Sequence, residues 1–105
     1  MAIGMDDRRK GFESKWAHDA DLRFKVESRR NRALGEWAAA KKGLTGAAVE
    51  DFVGGVIASD FQEAGDEDVF RKLRAELDAS VSDADIRAKM VECLQAAVDH
   101  VGKSV

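Results

Sequence analysis

The chain has no proline and a single cysteine, Cys93, among its 105 residues. The absence of proline, together with plentiful alanine, leucine, lysine, arginine and glutamate, favours helix. A single cysteine excludes an intramolecular disulfide and a thiolate metal cluster, and nothing indicates an oxidising compartment. We therefore expect a cytoplasmic protein.

Long apolar runs are also missing. None approaches the roughly 20 residues that a membrane-spanning helix needs, and the segment MAIGMDDRRK has no hydrophobic signal core. Aromatic residues make up 7% of the chain and charged residues 35%. We expect one small domain without direct membrane contact, which would reach a membrane only through a partner.

The charge is unevenly distributed. Residues 1–44 contain 11 Lys/Arg and 7 Asp/Glu, a net charge of +4, whereas residues 45–70 contain 7 acidic and no basic residues. Residues 71–105 are balanced at 6 and 6. The basic front half therefore has an acidic complement in the same chain, which argues against a nucleic-acid partner.

Periodicity and stop signals predict an all-α fold, a small four-helix bundle over residues 21–105 behind an N-terminal arm, residues 1–20. The first helix should end at Lys41-Lys42-Gly43, Thr45 should cap the second, and Gly65-Asp66 should separate the second from the third. Ser82 and Asp85 resemble a capping box for the fourth. Gly54 and Gly55, inside the second helix, predict either close approach of a neighbouring helix or a local kink. The predicted inward residues are Leu22, Val26, Ala33, Trp37, Val49, Phe52, Val53, Val56, Ile57, Phe61, Ala64, Val69, Phe70, Leu73, Leu77, Ile86, Met90, Cys93, Leu94, Ala97 and Val101.

Residues 12–39 change character halfway along. Phe12, Trp16, Ala20 and Phe24 recur every four residues, which gives one narrow apolar stripe on a helix. A single helix of this length would be about 42 Å long, whereas a compact domain of this size has a radius of gyration near 13 Å. We expect the stretch to divide near Ala20 or Asp21, with its back half in the bundle. The aromatic residues ahead of that point either pack onto the bundle or bind a partner.

No catalytic or metal-binding constellation is present. His18 and His100 are far apart in sequence, and we expect His18 to be a solvated residue at a helix end and Cys93 a small core residue. The acidic residues of segment 60–68 are expected to cap a helix and face water. Arg29, Arg30 and Arg32 would point in different directions on one helix, so we expect them to be solvated or internally paired. We therefore predict a protein that is not an enzyme.

Five blocks of sequence are similar to the zeta subunit family of alphaproteobacterial F-type ATP synthases, and together they span most of the chain. They are FESKWAHD (12–19), LRFK (22–25), RRNR (29–32), LGEWAA (34–39) and DFQEAGDEDVFRK (60–72). The resemblance implies a four-helix bundle that binds the F1 sector and inhibits ATP hydrolysis.

By the same resemblance, the arm would enter a catalytic interface between alpha and beta subunits and obstruct rotation. The resemblance also allows contact of the protein with the gamma subunit. The implied partner-binding residues are Phe12, Lys15, Trp16, His18 and Asp19. Weak adenine-nucleotide binding is also implied, without a site in this sequence, and no other cofactor is expected. The protein would be peripheral to the inner membrane through F1. The alternative is a helical nucleic-acid-binding or scaffold module that uses the basic face of the first helix.

Overall fold

The computed structural model describes Lys15, Trp16, residues 18–60 and residues 66–104. These residues form four helices, α1 (Ala20–Lys41), α2 (Ala47–Ser59), α3 (Glu67–Glu76) and α4 (Asp83–Ser104). Helix α1 packs against α2 and α4, and α3 packs against the same two helices. No strand occurs in the described part, so the predicted all-α four-helix bundle is confirmed. The assignment of residues 1–20 and 21–105 as separate units stays a prediction.

Both ends of α1 are defined by local hydrogen bonds. Asp19 has an extended backbone (φ −104°, ψ 114°), and its carboxylate accepts a hydrogen bond of 3.0 Å from the Leu22 N–H. At the other end Gly43 has φ +74°, and the Leu44 N–H donates to the Ala39 carbonyl at 2.9 Å. This Schellman geometry confirms the predicted stop, because glycine adopts the left-handed conformation without a steric penalty.

Helix α2 begins one residue later than predicted. Its N-cap is Gly46, with φ +60° and no side-chain capping bond, so the prediction that Thr45 caps α2 is wrong. The chain turns into α2 through a positive φ, which favours glycine over threonine. Helix α2 ends at Ser59, and Phe61, Ala64 and Gly65, predicted to extend and end it, lie outside the described residues.

The starts of α3 and α4 follow the sequence signals. Asp66 is the N-cap of α3, although its side chain makes no capping bond there. Before α4, the Asp85 N–H donates to the Ser82 hydroxyl at 3.0 Å, and the Ser82 N–H donates to the Asp85 carboxylate at 3.4 Å. This reciprocal pair confirms the predicted capping box.

Close approach of two helices occurs at Gly35 of α1. A Cβ atom placed there would lie 3.0 Å from the Cα atom of Val53 in α2. A Cβ at Gly54 would meet no atom within 4 Å, and one at Gly55 would make only an ordinary contact with the flexible Lys72 side chain. The predicted role of Gly54 and Gly55 in close approach is therefore wrong, because no neighbouring helix comes close enough to exclude a Cβ atom at either position. Helix α2 runs unbroken past both glycines.

Two apolar clusters stabilise the bundle. The main core takes side chains from all four helices: Leu34, Ala38, Ala39, Phe52, Val56, Val69, Leu73, Leu77, Val81, Ile86, Met90 and Cys93. The second, here called the C-terminal cluster, joins the start of α1 to the end of α4 through Leu22, Val26, Ala97, Val98 and Val101. Cys93 is a buried core residue as predicted, and burial raises the pKa of its thiol.

Candidate partner-binding site

The residues predicted for the inhibitory arm precede α1. Phe12 lies outside the described residues, whereas Lys15 and His18 are exposed. The Lys15 carbonyl accepts hydrogen bonds of 3.1 Å from the N–H groups of both His18 and Asp19, which closes a turn ahead of the helix. Asp19 caps α1, so its carboxylate has a structural role in this conformation. The exposure of His18 agrees with the solvated residue expected at a helix end.

Trp16 is attached to the bundle. Its side chain is partly buried and packs against the C-terminal cluster, as does that of Leu94. Among the arm residues that the structure describes, Trp16 is the one that packs against an apolar cluster. Of the two roles left open for this tryptophan, packing is therefore observed, and partner binding stays a prediction.

Phe24 lies on a different surface. It belongs to the second turn of α1, and 58% of it is exposed, although it is a large apolar side chain. Because Asp19 leaves the helical conformation, Trp16 and Phe24 do not share one helix face. The predicted division of residues 12–39 is thus observed at Asp19, within two residues of the expected position.

The three arginines of the predicted basic face have three different environments. Arg29 is exposed, Arg32 is half-exposed and lies 3.3 Å from the Glu50 carboxylate, and Arg30 is 2% exposed. The predicted internal pairing is confirmed for Arg30 and Arg32. A nucleic-acid site would need several free cations on one surface, and this segment does not supply them.

Arg30 is the centre of a buried polar network that sequence reasoning did not identify. Its Nε donates to Asn31 Oδ1 at 3.0 Å, its Nη1 donates to Asp66 Oδ1 at 2.7 Å, and its Nη2 lies 3.5 Å from Asp60 Oδ1. Asn31 Nδ2 in turn donates to Asp60 Oδ2 at 2.9 Å. Arg30 therefore joins α1 to both ends of the connection between α2 and α3. No sequence signal separated it from Arg29, because its acidic partners lie 30 and 36 positions later.

Glu27 borders this network on the same helix. Burial, and then the negative charge of Asp60, raise the pKa of its carboxyl above its ordinary value of 4.5. A carboxyl with a raised pKa in the folded state contributes most to stability below its unfolded pKa and loses that contribution as pH rises through the folded pKa. At neutral pH the charge on Glu27 therefore opposes folding.

We expect Glu27→Gln to raise the urea midpoint of unfolding at pH 7, with the gain shrinking as the pH falls through the raised folded pKa and lost below 4.5, where Glu27 is protonated in both states. Urea titrations at pH 7 and pH 3.5 measure both effects. Glu36→Gln, at an exposed carboxylate of the same helix, is the matched control and should change the midpoint little. A gain that is equal at both pH values would contradict this assignment.

A shallow groove lies between the end of α1 and the start of α4. Its lining includes Trp37, Lys42, Glu76, Lys89 and Glu92. Lys42 is paired with Glu76, and Lys89 with Glu92 at 2.9 Å, so acidic partners already neutralise both lysines. Lys41 also lines the groove and is exposed. Adenine-nucleotide binding stays a prediction.

The described residues contain no group of three or more His, Cys, Asp or Glu side chains arranged to hold a metal ion. None of the helices in the described ranges combines the length and the apolar character that a bilayer span requires.

A comparison with curated proteins finds no match to this chain. The family model of ATPase inhibitor subunit zeta matches residues 1–100, a range that includes the arm and all of the bundle except the last residues of α4. The match confirms the resemblance carried by the five sequence blocks. It supports an ATPase inhibitor role, implies binding to the F1 sector of ATP synthase, and suggests a regulatory rather than catalytic protein. On this evidence the chain belongs to the ATPase inhibitor subunit zeta family.

Proposed function

We propose that this chain inhibits ATP hydrolysis by placing its N-terminal arm in a catalytic interface between alpha and beta subunits of F1. The arm residues that would make the contact are Phe12, Lys15, Trp16, His18 and Asp19. The bundle itself stays outside that interface and carries the arm. Through its binding to F1, the bundle lies at the periphery of the inner membrane. The inhibition requires no cofactor and no chemical step by this chain.

One observation carries this proposal beyond the family match. The main core draws on no residue before Ala33, and α1 has its own cap at Asp19. Within the described arm, Trp16 is the side chain that joins an apolar cluster, and it does so at the edge. The arm can therefore leave the bundle and bind a partner while the four helices remain folded.

The test removes the arm and keeps the cap. The full chain should lower the rate of ATP hydrolysis by F1 from the same organism, and a variant lacking residues 1–18 should not. Because Asp19 is retained, the truncated chain should keep its helical circular dichroism, with a melting temperature close to that of the full chain. Full inhibition by the truncated chain would exclude the arm mechanism.

Arg29→Ala is a useful companion variant in the same assay. Arg29 is exposed and lies outside the arm, so its removal should leave inhibition nearly unchanged.

A titration with ADP, followed by fluorescence of the two tryptophans, tests the weak nucleotide binding that the family resemblance implies.

A further inference from the structure

The contact between Trp16 and the bundle opposes the use of Trp16 as a binding residue. An aromatic side chain is a strong interface anchor because it buries a large apolar area at a small entropic cost. Here that area is partly covered by the C-terminal cluster, which is formed by residues of α1 and α4. A partner that takes Trp16 must first separate it from this cluster.

The same contact separates Trp16 from Phe24. Residues spaced by four lie on one face of a helix, so a helix continued through Asp19 would align Trp16, Ala20 and Phe24. In the structure Asp19 is extended and caps α1, and this turn directs Trp16 to the end of α4. Phe24 is left 58% exposed on α1. Trp16 and Phe24, which would share one apolar stripe on a continuous helix, therefore lie on separate surfaces of the structure.

We propose that the docking of Trp16 on the C-terminal cluster is autoinhibitory, and that its release extends α1 into one binding stripe formed by Trp16, Ala20 and Phe24. This inference rests on the proposed function and adds the regulation of the arm and a further binding residue, Phe24. Exposed Arg23 and Lys25 flank Phe24, so the stripe fits an apolar groove with acidic edges.

When a chain is competent to bind only in its undocked fraction, its apparent dissociation constant is the intrinsic constant divided by that fraction. Weakening the contact between Trp16 and the C-terminal cluster must therefore strengthen inhibition, until the apparent dissociation constant reaches the intrinsic one. Removing the Phe24 side chain must weaken inhibition without changing the contact between Trp16 and the C-terminal cluster.

The experiment uses the full chain with Trp37→Phe, so that Trp16 is the single fluorophore. Val101→Ala removes methyl groups from the C-terminal cluster near the end of α4, and Val91→Ala makes the same change at a side chain of α4 that is 68% exposed. Acrylamide quenching of Trp16 reports docking, and a titration of F1 hydrolysis reports inhibition. Thermal melting checks that each variant remains folded.

Val101→Ala should increase the quenching of Trp16 and lower the half-inhibitory concentration by roughly three- to tenfold, whereas Val91→Ala should change neither. Looser docking with unchanged or weaker inhibition would overturn the proposal, as would unchanged quenching in Val101→Ala. If no variant inhibits F1, the proposed function fails together with this inference. Inhibition by the parent chain that Val101→Ala does not strengthen overturns the inference alone.

Phe24→Ala is the second variant, and because Phe24 is exposed it should not disturb folding. The expected result is weaker inhibition, by roughly tenfold or more for an aromatic anchor, with the quenching of Trp16 unchanged. Inhibition equal to that of the parent chain would remove Phe24 from the binding surface and overturn the stripe.

Discussion

Arg30→Ala is expected to lower the free energy of unfolding by about 3–5 kcal/mol, the usual cost of removing one partner from a buried ion pair. Arg30 is 2% exposed, and Asp60 is 12% exposed at its side chain. Without the guanidinium, Asp60 keeps the hydrogen bond from Asn31 but loses its nearby positive charge, and the removed side chain leaves a cavity. Urea unfolding followed by circular dichroism measures the change.

Arg29→Ala is the matched control, since it removes the same side chain one position earlier from an exposed site. Its expected effect is within about 0.5 kcal/mol. Arg30→Met should lie between the two, because methionine restores part of the buried volume but not the charge. Equal losses in Arg29→Ala and Arg30→Ala would contradict the clamping role of Arg30.

The second large effect is expected at Gly35. Gly35→Ala places a Cβ atom 3.0 Å from both the Cα and Cγ2 atoms of Val53. The Cα atom belongs to the backbone of α2, so relief requires the two helices to move apart. Overpacking of this kind costs about 1–3 kcal/mol, and we expect it to exceed the gain of roughly 1 kcal/mol that alanine brings over glycine in a helix.

Gly54→Ala supplies the comparison, because a Cβ atom there meets nothing within 4 Å. Only the helix-propensity term then remains, and the free energy of unfolding should rise by about 0.5–1 kcal/mol. The same substitution should therefore have opposite signs at the two glycines in one set of thermal or urea measurements. A stabilising Gly35→Ala would show that α1 and α2 can separate without loss.

The roles of Arg30 and Gly35 could not be predicted from the sequence, whereas some helix ends could. Two helix ends were predictable from local signals, at Lys42-Gly43 and at the Ser82–Asp85 capping box, since each depends on neighbours within a few residues. The local signal at Thr45 was wrong, because the adjacent Gly46 takes the cap position with a positive φ. Arg30 and Gly35 depend on residues far away in sequence: Asp60 and Asp66 for one, Val53 for the other. Two adjacent arginines look alike until the tertiary fold assigns one to the interior.

The arm shows a similar limit. Four-residue spacing placed Trp16 and Phe24 on one apolar stripe, but the extended backbone of Asp19 separates them in the structure. A spacing rule assumes a continuous helix, whereas a capping aspartate favours a break at the same position. The residues of the candidate site therefore stay a prediction from the sequence, and the structure supplies the geometry of those that it describes.

The buried position of Cys93 has a practical consequence. Its thiol belongs to the main core and is the one thiol of the chain, so a thiol-reactive reagent gains access to it chiefly when α4 opens. With opening and closing fast relative to alkylation, the labelling rate in native buffer tracks the population of open molecules. Trp16 packs on the other cluster. In the Trp37→Phe chain, alkylation therefore reports the opening of the bundle while tryptophan fluorescence reports the docking of the arm, and both can be measured in the same sample.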